Sequence, residues 1–125
     1  MTSNLFGHPA PVLVRLAGVD DPEMQGRMKE QITSLLARHD VRVDNHKGVP
    51  VTFALQRQPR NGLEKINWEI ELMDAKGQVR HNANYATTIP GHARASAYEA
   101  ALVAAATQAM PEMRSRLLAM AKGRN

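Results

Sequence analysis

The sequence contains no cysteine, and this absence excludes several kinds of chemistry. Without a thiol the chain can form no disulfide, no thiolate nucleophile and no zinc-finger site. The sequence also lacks a P-loop, a dinucleotide-binding glycine pattern and a nucleophile elbow. It therefore predicts no cofactor, and it predicts that the protein is not an enzyme.

Aromatic residues and long apolar runs are also scarce. Aromatics make up 4% of the chain, so the core must be built mainly from aliphatic side chains, Met and Ala. No stretch approaches the ~20 apolar residues that a membrane-spanning helix needs, and the first residues lack the pattern of a signal peptide. We expect a cytoplasmic protein if Met1 is the native start, and a periplasmic one if a longer chain has been trimmed.

The charge is positive overall and unevenly distributed. The net charge is +4 and the sequence pI is about 9.9. Residues 1–40 carry four Lys/Arg against five Asp/Glu, whereas residues 41–125 carry twelve against seven. A basic second half suits a nucleic acid, an anionic membrane surface or an acidic protein as partner. A charge of this size equally suits a surface that only keeps the protein in solution.

The length and the hydropathy pattern predict a single α+β domain. A chain of 125 residues can bury a sizeable core. Residues 1–10 are predicted to be a flexible N-terminus, residues 11–121 the domain, and residues 122–125 a C-terminal tail. The predicted order is β-α-(β)-β-β-β-α. We expect an antiparallel sheet, a meander of three to four strands plus a short N-terminal strand, with two helices packed on one face.

The first half of this order begins with a strand and a helix. Val12, Val14 and Leu16 alternate with other residues, which predicts a short strand. Asp20 or Asp21 can cap the helix that follows, in which apolar residues recur at helical spacing. The sequence Val-Arg-Val at residues 41–43 predicts a further short strand.

The meander follows in three alternating segments, "VPVTFALQR", "KINWEIELM" and "QVRHNANYATTI". Pro59 and Gly62 mark the first break, and "DAKG" has the signature of a type I turn at the second. We predict the register that keeps apolar residues together. It pairs Met73 with Gln78, Leu72 with Val79, Ile70 with His81, Trp68 with Ala83, Ile66 with Tyr85 and Glu71 with Arg80.

The last element is a long helix from about His92 to about Met120, with an apolar stripe at spacings of three and four residues. Pro111 interrupts this stripe. Because proline loses a backbone hydrogen bond and clashes with the carbonyl four residues earlier, we expect a kink or a fresh helix start near Met110.

Catalytic and metal-binding patterns are weak. The five His residues show no metal-ligand spacing, and His81 is predicted to be a satisfied core residue. Glu69 and Glu71 share one strand face, where they form either a carboxylate pair or a solvated face with Arg80 opposite Glu71. The sequence favours the solvated face.

The basic residues indicate a binding role. The predicted solvent face of the sheet has no stacking aromatics, which argues against a sheet-platform RNA binder. Cations lie instead in the connections and at a helix start, where a phosphate can bind. The candidate nucleic-acid or anion-binding residues are Arg57, Arg60, Lys65, His92 and Arg94. Five phosphate contacts predict a slope of about −4 to −5 in log affinity against log salt, at about 0.9 per contact.

Residues 22–106 resemble the double-stranded-RNA-binding domain. The stretch "GHARASAYEAALVAAA" carries the resemblance, with a glycine, a basic residue, alanines and an acid at Gly91, Arg94, Ala97, Glu99, Ala100 and Ala101. The family has the order α-β-β-β-α and contacts RNA through its first helix, one hairpin loop and the basic start of its last helix. The resemblance implies a nucleic acid or a ribonucleoprotein as partner.

Residues 11–121 also resemble small envelope lipoproteins that assist lipopolysaccharide assembly or lipid transport. A strand, a helix, a meander closing with "ELMDAKGQV" and a long helix ending "MRSRLLAMA" carry this resemblance. It implies a protein or lipid partner and no catalysis, although the lipidated cysteine of that family is absent from this sequence. A third interpretation is a small bacterial or phage accessory protein, or inhibitor, that acts by binding a protein. An unprotected edge strand would also let two chains pair into a homodimer.

Overall fold

The computed structural model describes residues 7–122, which form one sheet and two helices. The sheet has the strand order β1-β2-β3-β4, and both helices pack on one of its faces around a single core. The α+β class is therefore confirmed. The elements are β1 (Val12–Ala17), α1 (Pro22–Arg38), β2 (Val49–Arg60), β3 (Leu63–Met73), β4 (Val79–Pro90) and α2 (Ala95–Ala121).

The sheet is mixed, so the prediction of an antiparallel sheet is wrong for β1. This strand pairs with β2 in parallel, with Val14 opposite Val51, whereas β2, β3 and β4 form an antiparallel meander. The connection explains the difference. Because α1 carries the chain back to the end of the sheet at which β1 began, β2 runs in the same direction as β1.

The start of α1 follows the prediction. The side chain of Asp21 accepts a hydrogen bond from the backbone N–H of Glu23 at 3.1 Å, which satisfies one of the free donors of the first turn. The apolar stripe turns toward the sheet and buries four residues, Met28, Ile32, Leu35 and Leu36.

The short strand predicted at residues 41–43 does not form. Val43 makes only an isolated bridge to Val12. The next residue, Asp44, ends the pairing because its carboxylate accepts hydrogen bonds from the backbone N–H groups of His46 and Lys47 at 2.9 and 3.0 Å. These bonds turn the chain into β2 and hold the pKa of Asp44 below its usual value.

The register between β3 and β4 differs from the predicted one by two residues along β4. Trp68 lies opposite Tyr85 rather than Ala83, and the shift is accommodated at an irregularity beside Met73. The carboxylate of Asp74 accepts hydrogen bonds from the backbone of the turn and so fixes a longer loop. From His81 onward each side chain of β4 keeps its predicted face, because the shift there is an even number of residues. Val79 lies opposite Met73 and so moves to the other face. The other observed pairs are Met73–Val79, Leu72–His81, Glu71–Asn82, Ile70–Ala83 and Ile66–Thr87.

Helix α2 continues through Pro111, so the fresh helix start predicted near Met110 does not occur. The ring of Pro111 lies on the exposed side of the helix, while Met110 and Met113 on either side of it are buried. Burial of these neighbours against the core compensates for the backbone hydrogen bond that proline cannot make.

The predicted N-terminus and C-terminal tail fall partly outside the described residues, which exclude 1–6 and 123–125. The described part of the N-terminus contacts the fold. Pro9 is buried, and the backbone N–H of Ala10 donates a hydrogen bond to the carbonyl of Leu117 at 3.0 Å.

Candidate functional site

The β2–β3 connection is a two-residue turn made by Asn61 and Gly62. Both residues have a positive φ, 42° and 80°, the combination found in type I′ hairpins. β2 runs through Pro59 to Arg60, so the break predicted at Pro59 is wrong. Proline is tolerated there because this end of β2 extends beyond β1 and pairs only with β3. Arg60 therefore lies directly before the turn and is exposed.

The start of α2 lies beside this turn. The backbone N–H of Gly91 donates a hydrogen bond to the carbonyl of Gly62 at 2.9 Å. A Cβ atom on Gly91 would lie 3.1 Å from that oxygen, closer than an ordinary van der Waals contact. The next two basic side chains, His92 and Arg94, are exposed. The turn and the start of α2 therefore form one continuous surface.

Helix α2 begins without a capping side chain. Its N-cap residue, Arg94, has an extended backbone, with φ −79° and ψ 166°, and its side chain makes no capping hydrogen bond. The first turn, which the structure describes in full, contains no acidic residue. The free N–H groups at the positive end of the helix dipole thus lack a side-chain acceptor, an arrangement that favours anions.

We call the group Arg60, Lys65, His92 and Arg94 the basic end. All four side chains are exposed, and Lys65 lies on the open face of the sheet, the face without helices, opposite Thr88 of β4. Within residues 7–122 none of the four forms an ion pair. Their role in binding stays a prediction.

Arg57, the fifth candidate, already has partners within the protein. Its Nε atom donates to Glu64 at 3.2 Å, and its terminal nitrogen donates to the hydroxyl of Tyr98 at 3.1 Å. The guanidinium also lies over the Tyr98 ring, 5.0 Å from the ring centre. Burial opposes the charge of Arg57, but the hydrogen bond to Glu64 and the nearby acidic groups outweigh it and raise its pKa. The side chain is still 54% exposed, so one side of it remains open to a ligand.

Glu64 and Tyr98 complete a buried polar cluster that the sequence analysis missed. The hydroxyl of Tyr98 donates a hydrogen bond to Glu64, and both residues are buried. Burial and then this hydrogen bond raise the pKa of Tyr98. The available signal was the phase of Glu64, which alternates with Ile66 and Trp68 and so belongs to the buried side of β3.

A cleft of about 240 Å³ opens beside this cluster, between the start of α1 and the end of β2. Val19, Met24 and Leu55 form its apolar walls, and Arg57 and Tyr98 close one side. Asp20 and Asp21 also line the cleft. The same end of the protein therefore carries basic groups at the β2–β3 turn and acidic groups at the start of α1.

A second buried acid joins the two helices. The carboxylate of Glu99 in α2 accepts hydrogen bonds from Arg27 and Gln31 of α1, each at 3.0 Å. The hydrogen bond from Glu99 raises the pKa of Arg27. Glu99 was part of the pattern that resembles the RNA-binding family, and in the structure it binds α1.

The open face of the sheet carries a row of hydrogen-bonded amides. Asn67 donates to Gln56 and Asn84 at 3.3 and 2.9 Å, and Asn84 donates to Asn82 at 3.1 Å. Asn82 in turn donates to Glu69 at 3.0 Å. No aromatic side chain interrupts this row, so the face offers hydrogen-bonding groups and no stacking platform.

The weaker sequence predictions are corrected on this sheet. Arg80 does not lie opposite Glu71; it donates to Asp74 at 2.7 Å. His81 lies on the helix side but is only half-buried, and its Nε2 atom is buried without a hydrogen-bond partner. Its prediction as a satisfied core residue is wrong.

Residues 7–122 show neither a cluster of metal-binding side chains nor a helix that could span a membrane. These residues contain no group of three or more acidic or His side chains that could hold a metal ion. Neither helix that the structure describes combines the length and the apolar character needed to cross a bilayer.

Comparison with known proteins assigns no family. No protein-family model matches the chain, and no curated protein matches it with significance. The two resemblances noted from the sequence therefore stay predictions.

Proposed function

We propose that the protein is a non-enzymatic binding module that holds the phosphate backbone of a nucleic acid, free or within a ribonucleoprotein, at its basic end. One observation supports this most strongly. The hydrogen bond between Gly91 and Gly62 joins the β2–β3 turn to the uncapped start of α2, so that the cations of both segments line one surface.

The chemistry of this surface suits phosphate. The exposed guanidinium groups of Arg60 and Arg94 offer forked N–H donors to a phosphate group, and the ammonium of Lys65 adds a mobile positive charge on the adjacent face. The free N–H groups at the start of α2 are oriented to accept an anion. Arg57 adds a fixed charge behind this surface, since Glu64 and Tyr98 hold its guanidinium in place.

The same geometry argues for binding that does not depend on base sequence. Phosphate contacts position a protein on a nucleic acid, whereas base contacts specify the sequence. The open face, with its amides and acids, lacks the aromatic rings that hold unstacked bases. We therefore expect duplexes of different sequence to bind with similar affinity.

Fluorescence anisotropy with labelled duplex RNA and duplex DNA tests this proposal. The double variant Arg60→Glu/Arg94→Glu should lose at least tenfold in affinity at low salt. The matched control is Arg42→Glu/Lys47→Glu, which makes the same charge change near the start of β2, at the opposite end of the sheet. Equal losses of affinity in both variants would mean that only the net charge of the protein matters. The absence of any wild-type binding would contradict the proposal.

Two single substitutions separate the contributions at the start of α2. Arg94→Glu should weaken binding more than His92→Ala, because it reverses a charge, whereas His92→Ala only removes a side chain. An affinity that His92→Ala leaves unchanged would remove His92 from the site.

The cleft beside Tyr98 favours a second candidate function, the accessory role in which the chain binds a protein or lipid partner. Its walls are apolar, and Arg57, Asp20 and Asp21 add charged groups, a combination that accommodates an apolar group with a polar head. A fluorescent fatty-acid analogue should gain emission with the wild type and lose that gain with Met24→Arg. The absence of any gain with the wild type would contradict lipid binding.

A further inference from the structure

From His81 onward, β4 is an edge strand without the usual protection against pairing. It is twelve residues long and pairs only with β3. Edge strands are commonly protected by free charges, internal prolines or bulges. Between Val79 and Ile89 the strand contains no proline, and the guanidinium of Arg80 is bound by Asp74 at 2.7 Å. The bulge in the ladder adds Arg80 to β4 between the pairs Met73–Val79 and Leu72–His81, so the regular part of the edge begins at His81.

The hydrogen bond from Gly91 to Gly62 shows which backbone groups of β4 face outward. Hydrogen-bonded and non-hydrogen-bonded pairs alternate along an antiparallel ladder, so the odd-numbered residues of β4 bond to β3 as Gly91 does. The N–H and C=O groups of the even-numbered residues, from Asn82 to Thr88, therefore point away from the sheet. Pro90 continues this outward row but has no N–H to offer.

We propose that this edge binds a second copy of the chain, β4 against β4 in antiparallel orientation, with the two-fold axis at Asn84. The two four-stranded sheets then become one continuous eight-stranded sheet. In this register Asn84 lies opposite its own copy and Asn82 opposite Ala86 of the second copy. Every hydrogen-bonded pair uses outward-facing groups only, and Pro90 falls just outside the ladder.

The side chains on the helix face of β4 select this register and a second copy as the partner. Ala83, Tyr85 and Ile89 are packed on the core but only partly buried. The proposed register places Ala83 against Tyr85 of the second copy, and Tyr85 against Ala83. Two small–large pairs thus cover the exposed margin of the core from both sides.

The open face and the charges fit the same arrangement. The amide row from Gln56 through Asn67 to Asn84 ends at the edge, and the two-fold axis continues it into the row of the second copy. No like charges face each other, because residues 82–88 contain no charged side chain.

Sedimentation of the full chain over a range of concentrations tests the proposal. We expect a concentration-dependent species of twice the 13.8 kDa chain mass. Ala86→Pro removes one outward N–H and should weaken this dimer at least tenfold while circular dichroism stays unchanged. A wild type that stays monomeric at all concentrations would overturn the proposal, and a strand of another protein would then be the partner of this edge. A dimer that Ala86→Pro does not weaken would place the interface elsewhere and would also contradict the proposal.

Charge at the axis tests that the partner is a second copy. Asn84→Lys should be monomeric, and so should Asn84→Asp, because like charges then meet on the two-fold axis. An equimolar mixture of these two variants should form a dimer again. The control Thr52→Lys adds the same charge on the open face of β2 and should leave the dimer intact. Dimers formed by each charged variant alone would refute the register.

The absence of cysteine allows a direct test of the pairing. Residues opposite each other in hydrogen-bonded pairs have Cα atoms about 5.5 Å apart, within reach of a disulfide. Asn84→Cys should therefore form a covalent dimer under mild oxidation, and Thr52→Cys should not. Equal cross-linking of both variants would contradict the proposed axis, and a failure to fold in Asn84→Cys would leave Ala86→Pro as the deciding variant.

Discussion

The hydroxyl of Tyr98 donates a hydrogen bond to the carboxylate of Glu64, which joins the first turn of α2 to the start of β3. Arg57 bonds to both groups from the end of β2. Three elements thus meet at one buried polar cluster directly behind the basic end. The cluster positions the surface that we propose to bind phosphate, and its stability is open to measurement.

The Tyr98 hydrogen bond predicts a loss of stability at alkaline pH. The pKa of Tyr98 is raised in the folded protein, while an unfolded chain titrates near pH 10. The stabilisation is therefore complete below about pH 10 and falls as the pH rises through the folded pKa. Urea unfolding should show this decline in the wild type and a smaller one in Tyr98→Phe, which should cost about 1–2 kcal/mol at pH 7. Tyr85→Phe is the control and should keep the alkaline decline.

Asp74 predicts a loss of stability at acid pH. Backbone hydrogen bonds, first from Gln78, lower its pKa despite burial, and Arg80 adds to the effect. Because the folded pKa is depressed, the stabilisation is complete above about pH 4 and declines as the pH falls through the folded value. Asp74→Ala should cost about 1–2 kcal/mol at pH 7, since two backbone N–H groups and Arg80 lose their acceptor, and should remove the decline at acid pH. Glu71 is another acid, on the open face. The control Glu71→Gln should keep the decline of stability at acid pH.

Glu99 predicts a measurable coupling between the helices. Its carboxylate is buried and accepts bonds from Arg27 and Gln31, so Glu99→Ala should cost about 1–3 kcal/mol by leaving these donors without an acceptor. Glu112 and Arg116 form an exposed pair one turn apart, with a separation of 2.8 Å. Glu112→Ala is the control and should cost at most about 0.5 kcal/mol. Similar costs for both substitutions would mean that the buried bonds add nothing.

The close contact at Gly91 predicts opposite effects for two glycine substitutions. Gly91→Val should destabilise the protein by about 1 kcal/mol and weaken nucleic-acid binding, because the added side chain separates the turn from the start of α2. Gly26→Ala lies on an exposed part of α1 with nothing within 4 Å and should stabilise by up to about 1 kcal/mol. Chemical unfolding of both variants checks the signs. A neutral Gly91→Val with unchanged binding would contradict the proposed surface.

Sequence periodicity predicted which side chains are buried, and it could not predict strand direction. Alternation placed Ile66, Trp68 and Ile70 on the core face correctly. The same alternation suits parallel and antiparallel strands, so the direction of β1 relative to β2 was not visible in it. A register shift of two residues also leaves every face unchanged. The shift depends on hydrogen bonds of Asp74, which no local pattern reveals.

The candidate site was only partly visible in the sequence. The Asn61-Gly62 pair is a strong hairpin signal. Because of Pro59, however, the end of β2 was predicted before this turn, whereas the strand continues to Arg60. The proximity of His92 and Arg94 to that turn follows from the meander, whereas the bonds of Arg57 to Glu64 and Tyr98 join residues 7 and 41 positions apart. Contacts of this kind depend on the final packing of α2 on the sheet.

The salt dependence of binding to a short duplex tests the central proposal most directly. Each phosphate contact contributes about 0.9 to the slope of log affinity against log salt. We predict a slope of about −4 for the wild type and of about −2 for Arg60→Glu/Arg94→Glu. The Arg42→Glu/Lys47→Glu control should keep the wild-type slope. A wild-type affinity that does not change with salt, or equal slopes in all three proteins, would contradict phosphate binding at the basic end.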